Sequence, residues 1–196
     1  TNECNMKLMS RYEDNYFDLA IVDPPYGIEI NKSGRLGHYG GKGKKWDNET
    51  PNKEYFTELE RVSKSQIIWG GNYFDLPPTR CFLIWDKQQP EGVSFASCEL
   101  AWTSFNKSAK TFYMRPQNAD NIRIHPTQKP VKLYEWLLMN NAEKGFKILD
   151  THLGSGSIAL ACHNLNFDLV GCELDTDYYN ASLKRLKEHQ QQLVMF

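Results

Sequence analysis

Residues 147–165, KILDTHLGSGSIALACHNL, decide the fold. KILD is a short, mostly apolar run of strand length without polar alternation, as in strands buried on both faces of a parallel sheet. In the turn that follows, Gly154 and Gly156 let the chain reverse tightly, and Ala159 completes a GxGxxA pattern. Residues 157–165 then read as a helix and 168–172 as the next strand, ending at Glu173. Strand, glycine turn, helix and strand make a βαβ unit, which sets the two strands parallel. The helix start offers backbone N–H groups, and Glu173 can accept hydrogen bonds from two ribose hydroxyls, so the unit points to a nucleoside-bearing cofactor. A helix packed closely on a strand explains the glycines about as well. About 40 residues follow Gly156, too few to finish a dinucleotide-binding sheet, so the remaining strands lie upstream.

Upstream, residues 18–22 (DLAIV) form another apolar run, stopped by Asp23, Pro24, Pro25 and Tyr26. Residues 27–50 carry five glycines between Gly34 and Gly43 without periodicity and predict a long mobile loop. Tyr55, Phe56, Leu59 and Val62 have helical spacing, predicting an amphipathic helix over 52–63. Residues 66–69, 81–85 and 99–104 read as strands whose tryptophans belong to the core. Residues 106–129 read as irregular. A helix begins at Pro130, with Val131, Leu133, Tyr134, Leu137 and Leu138 on one face, and should end near Gly145; a last helix covers 177–190. Strands alternating with helices imply one α/β domain over residues 1–196, with a mostly parallel sheet and helices on both faces.

Composition agrees. A chain of 196 residues with 40% hydrophobic and 13% aromatic residues can fill one core. Its five cysteines form no CxxC pair and no Cys/His cluster of metal spacing, which predicts no metal and a reduced, cytoplasmic protein. No apolar run is long enough to span a bilayer, and the polar start at Thr1 and Asn2 does not read as a signal peptide. The net charge of −1 is unevenly spread. Lys32, Arg35, Lys42, Lys44 and Lys45 crowd one stretch free of acids; Lys107, Lys110 and Arg115 belong to a second basic stretch. Each alone is compatible with a solvated loop, but two in a chain that also carries a chemical motif favour a polyanion partner.

That motif is Asp23, Pro24, Pro25 and Tyr26. An exocyclic amine on an aromatic base is a poor nucleophile because its lone pair is delocalised into the ring. Two acceptors for its N–H bonds localise the pair: the Asp23 carboxylate and the Pro24 carbonyl, with no competing N–H on Pro25. Tyr26 offers a flat face on which a base can stack, an interaction worth roughly 1–3 kcal/mol. A Pro-Pro turn beside a buried tyrosine is the bland alternative.

DPPY, then HPTQKP at 125–130, then DTHLGSGS at 150–157 resembles the β-class amino-methyltransferases of DNA, in which the catalytic motif precedes the cofactor half. IIWGGNYF (67–74), WDK (85–87) and GCELDTDYY (171–179) extend the resemblance over nearly the whole chain. It implies a Rossmann-like, seven-stranded methyltransferase fold with permuted motif order. It implies S-adenosylmethionine as cofactor and methyl transfer to N6 of a flipped adenine in DNA, because Asp at the first motif position favours adenine where N4-cytosine relatives carry Ser. It also implies that Asp150, Gly154, Ser155 and Gly156 hold the cofactor with Glu173 on its ribose, that Thr127 and Lys129 lie near its methionine end, and that Glu3 and Cys4 lie near its adenine. Two departures stand out. His152 replaces the family's usual phenylalanine, which raises the question of its charge beside a sulfonium. The target-recognition segment is short, 106–124, which predicts relaxed specificity or help from a second subunit. An N4-cytosine, RNA or protein-glutamine target, or a silent binding partner of an active subunit, are the alternative readings.

Overall fold

The computed structural model describes residues 1–29, 46–93, 95–116 and 123–193. The elements in chain order are α1 (Asn5–Met9), β1 (Leu19–Val22), α2 (Lys53–Val62), β2 (Gln66–Trp69), β3 (Phe82–Asp86), β4 (Cys98–Thr103), β5 (Lys110–Tyr113), α3 (Val131–Asn141), β6 (Lys147–Asp150), α4 (Ser157–Leu165), β7 (Asp168–Gly171) and α5 (Thr176–Leu193); a 3-10 turn, Gly71–Tyr73, follows β2.

The seven strands form one sheet in the order β5-β3-β4-β2-β1-β6-β7. β1 pairs parallel with β2 and β6, β6 with β7, and β3 with β5, whereas β4 runs antiparallel to both β2 and β3. The sheet is thus mostly parallel, with one reversed strand created by the β3–β4 hairpin. This polarity puts the C-terminal ends of β1, β2, β3, β6 and β7 on one rim.

Alternate side chains point to opposite faces, and the core divides accordingly. Leu19, Ile21, Ile67, Trp69, Leu83, Trp85 and Ile148 pack with Leu133, Leu137, Ile158 and Ala161 of α3 and α4. Their neighbours Ala20, Val22, Ile68 and Leu149 pack on the other face with Leu8 and Met9 of α1 and Tyr55, Leu59 and Val62 of α2. A strand buried on both faces has no polar position to spare, which is why β1, β2 and β6 read as nearly unbroken apolar runs. The tryptophans of β2, β3 and β4 are buried, as expected.

Two sequence expectations need correction. The segment taken as irregular contains β5, which adds to the edge beside β3. Four residues, KTFY, with both ends exposed, carry too little apolar signal; the strand exists because β3 offers it a parallel ladder. Helix α3 stops at Asn141, four residues before Gly145. The side-chain amides of Asn140 and Asn141 donate to the carbonyls of Trp136 (2.8 Å) and Leu137 (2.9 Å), satisfying acceptors of the last turn, and Ala142 is already extended. The predicted basic loop, with Lys32, Arg35, Lys42, Lys44 and Lys45, lies outside the described residues.

Helix α2 starts where its sequence signal places it. The Asn52 side chain accepts the Tyr55 N–H at 3.1 Å, capping the helix that carries Tyr55 and Leu59 into the core. Asn52→Ala should therefore lower the unfolding free energy by about 1 kcal/mol in urea titrations. A loss below 0.3 kcal/mol, an order-of-magnitude floor for a working cap, would show that packing alone fixes the helix start.

Candidate active site at the C-terminal rim of the sheet

Parallel pairing of β1 with β6 brings the residues after Val22 and Asp150 side by side, although 128 positions separate them in sequence. Asp23 follows β1, the glycine turn follows β6, and Glu173 follows β7 after Cys172. Ligands of open α/β sheets bind at such a rim. A cavity of about 340 Å³ opens there, lined by Cys4, Asn5, Asp23, Pro25, Trp46, Tyr55, Thr127, Lys129, His152, Gly154, Ser155 and Glu173 among others.

The DPPY segment is held on several sides. One Asp47 oxygen accepts the backbone N–H groups of Tyr26 (2.8 Å) and Gly27 (3.1 Å), fixing the turn after the two prolines. The Tyr26 hydroxyl donates to Asp23 Oδ1 at 2.7 Å, and its ring stacks on Tyr73 with centroids 4.9 Å apart and planes 11° from parallel. Gly70, at φ +70°, lies against the ring: a Cβ there would stand 2.2 Å from Tyr26 Cε1. This explains a glycine after QIIW both by conformation and by close approach.

Lys129 Nζ, 2% exposed, donates to Asp23 Oδ2 at 2.5 Å and to the Tyr26 hydroxyl at 3.2 Å. It also lies 3.0 Å from Glu99 Oε2, while Lys87 pairs with Glu99 Oε1 at 2.6 Å. Burial pushes the Asp23 carboxyl upwards, with Glu99 adding to the rise and Lys129 opposing it. Burial also works against the Glu99 anion, but the two ammonium groups outweigh it and hold its pKa at about 2. Sequence reasoning missed Lys87 and Glu99, which sit in the WDK and ELAWTS stretches and meet only through the β3–β4 pairing of Trp85 with Glu99. It also missed Asp47, Asn5 and Tyr73.

In the cofactor half, Glu173 accepts the backbone N–H of Gly154 through Oε2 (2.8 Å) and of Asp175 through Oε1 (2.9 Å). Glu173 also lines the cavity, and a carboxylate offers about four acceptor sites, so it retains acceptor capacity for a hydroxyl donor. His152 belongs to a chain: Asn5 Nδ2 lies 3.1 Å from Nε2, Nδ1 is 2.9 Å from Thr151 Oγ1, and that hydroxyl is 2.7 Å from the Tyr55 hydroxyl. With Asn5 donating to Nε2, the imidazole proton sits on Nδ1, the neutral tautomer. Withdrawal from bulk water pushes its pKa down to about 3. The imidazole is therefore uncharged at neutral pH and does not repel a cation.

The structure gathers Cys4, Asp23, Pro25, Thr127, Lys129, His152, Gly154, Ser155 and Glu173 around one cavity. Pro24, Tyr26, Asp150 and Gly156 stand apart from its lining. Buried Asp150 accepts the His152 N–H at 2.9 Å, with its pKa pushed up to about 8, and so shapes the turn from beneath. Gly156 leaves room for α5, since a Cβ would come within 2.9 Å of Ser182 Cβ. Lys129 reaches Asp23 with its ammonium. Of the basic residues described, Lys107 and Lys110 stand at or before the N-terminal end of β5, which runs parallel to β3, so they lie towards the rim opposite Asp23. Lys110 donates to Asn140 and Lys107 covers the Phe105 ring. Exposed Arg115, after the C-terminal end of β5, stands on the side of Asp23.

Residues 68–184, more than half of the chain, match the family model described as DNA methylase. The Type II methyltransferase M2.MboI of Moraxella bovis is 23% identical over 229 residues, covering 92% of this chain and 84% of that protein. The Type II methyltransferase M.HpaI of Haemophilus parainfluenzae is 35% identical over 66 residues, 34% of this chain and 21% of that protein. Among solved structures, the M1.HpyAVI-SAM complex aligns with a TM-score of 0.60 at 20% identity, over 94% of this chain and 97% of that one. The PvuII DNA methyltransferase (cytosine-N4-specific) aligns at 0.64 with 12% identity, over 97% and 90%. At these identities the likeness establishes the fold: the Rossmann-like methyltransferase sheet expected from the sequence.

The His152 environment has a measurable consequence. Between its unfolded value near 6.5 and its folded value of about 3, the unfolded chain takes up a proton that the folded chain refuses. This contribution to stability is complete above pH 6.5 and is lost as the pH falls towards 3. His152→Phe should remove it, so urea unfolding of the variant should show a shallower loss of stability over this window. Parallel profiles would mean that the imidazole titrates freely in the folded protein.

Proposed function

Because the chain belongs to the DNA methylase family, we propose that it transfers a methyl group from S-adenosylmethionine to N6 of adenine in DNA. The observation that carries this reading is that Asp23, at the end of β1, lines the same cavity as Glu173 and the glycine turn. An amine acceptor and a nucleoside-binding carboxylate thus share one space. The residues fit such a cofactor: Glu173 retains acceptor capacity for a hydroxyl donor, neutral His152 tolerates a positive charge, and Tyr55, Trp46 and Tyr178 supply flat walls. Trp46 Nε1 is buried without an acceptor among the described residues.

When bound, the sulfonium supplies an electrophilic methyl group and takes the electron pair of the carbon–sulfur bond that breaks. Asp23 and the Pro24 carbonyl accept the two N–H bonds of the target amine and localise its lone pair for the new carbon–nitrogen bond. One amine proton then leaves, and an Asp23 oxygen receives it; burial raises the carboxyl pKa and makes it a better base. Tyr26 supports the base, which must leave the duplex to reach the cavity. Walls that exclude water and hold the reactants in line supply the rest of the rate.

The support for adenine is the carboxylate itself at the first motif position, in the resemblance noted above. The test is transfer of labelled methyl groups to DNA, RNA and protein, followed by nucleoside analysis. Label in N6-methyladenine of DNA is expected; label in N4-methylcytosine, or in RNA or protein alone, would overturn the assignment. Asp23→Ala should cut turnover about a hundredfold or more while the circular dichroism spectrum stays native, and turnover within tenfold of wild type, an order-of-magnitude margin, would remove Asp23 from the chemistry. Glu173→Ala should weaken cofactor binding in calorimetry by loss of charge-assisted hydrogen bonds, and unchanged affinity would put the ribose elsewhere.

A further inference from the structure

Both oxygens of Asp23 are engaged: Oδ1 accepts from the Tyr26 hydroxyl and Oδ2 from the Lys129 ammonium. Each oxygen keeps a further lone pair, but a target amine that is to donate to this carboxylate must share it with the buried Lys129 ammonium seated on Oδ2. Lys129 is buried, so its charge cannot retreat into water without carrying the side chain out of the core. It faces Asp23 and the Tyr26 hydroxyl at the end of β1, the Trp69 ring of β2 at 5.2 Å, and Glu99 of β4. Glu99 Oε2 lies 3.0 Å from the ammonium as an ion-pair contact, and this buried oxygen makes no well-directed hydrogen bond among the described residues. Its other oxygen is held by Lys87. The second carboxylate is thus fixed in place, with one acceptor adjacent to the ammonium and still open.

We infer that Lys129 acts as a stand-in for the target amine on Asp23, and that Glu99 is the positioning residue that takes over its ammonium when a base enters. The handover moves a hydrogen bond and no covalent bond. Nζ turns from Asp23 Oδ2 to Glu99 Oε2, the cluster keeps two cations against two anions, and Oδ2 becomes free for the amine. Without the Glu99 charge, the ammonium would have only Asp23 for its counter-ion and would hold to it, so the base would compete against an ion pair. Lys87 contributes by keeping Glu99 ionised and aimed. The inference rests on the proposed function and assigns to β4 a part in base admission.

The test is a steady-state comparison of Glu99→Gln and Glu99→Asp with wild type on methylatable DNA, with cofactor affinity measured by calorimetry. Glu99→Gln should raise KM for DNA about tenfold or more, change kcat much less, and leave cofactor affinity within about twofold of wild type, the pattern of a stronger competitor for the base. Glu99→Asp keeps the charge and should recover most of the KM. Lys129→Met removes the stand-in, so adding Glu99→Gln to it should not weaken further the binding of an end-labelled duplex carrying adenine at the methylated position, read by its fluorescence anisotropy. An unchanged KM in Glu99→Gln overturns the inference. So does equal damage in the Gln and Asp variants, or an additive effect in the double variant. Absence of methyl transfer by the wild type would instead overturn the proposed function.

Discussion

A buried ammonium must be matched by buried carboxylates, and that requirement at Lys129 organises the site. Its partners come from far apart in sequence, Asp23 after β1 and Glu99 on β4, and the lysine enters from the segment ahead of α3. Four charges have been taken wholly or partly out of water, and the cost of that offsets the cluster's electrostatic gain. Its effect is geometric. Removing any one member leaves an uncompensated charge, so the cluster tolerates few arrangements, and the arrangement it selects points the Asp23 carboxylate into the cavity.

The sheet makes that meeting possible. With β1 and β6 adjacent and parallel, the DPPY segment and the glycine turn leave the sheet on one rim, whichever comes first in the chain. Motif order can therefore be permuted without moving the site. The charges on the two sides differ in kind. Around Asp23 they are paired with ammonium groups. Around the glycine turn they are muted, with His152 neutral and Asp150, raised to about 8, mostly protonated at pH 7. A cation bound there would be drawn mainly by Glu173 and Asp23.

Much of this was legible in sequence because the informative residues act locally. KILD followed by glycines, DLAIV followed by prolines, and Asn52 before an amphipathic stretch each carry their own cause. What stayed hidden depends on pairing across the sheet. Glu99 reads as one polar residue in a strand until β4 is set against β3 and Lys87 comes within 2.6 Å. Lys107 and Lys110 share a basic stretch with Arg115, but the β5 strand between them reverses the inference for the first two by carrying them towards the far rim. Gly156 fits a cofactor-binding glycine turn by pattern, while its missing side chain makes room for α5. Charge runs and motif letters give residue types; strand polarity gives the side of the molecule on which they act.

The account stands or falls on what the Asp23 carboxylate touches when substrate is present. The direct measurement is a crystal structure of the protein with a non-transferring cofactor analogue and a DNA duplex it methylates. The account predicts an extruded adenine on Tyr26, its amine nitrogen within hydrogen-bond distance of an Asp23 oxygen and the Pro24 carbonyl, and Lys129 turned to Glu99. A base bound with its amine away from Asp23, and Lys129 still seated on that carboxylate, would contradict it.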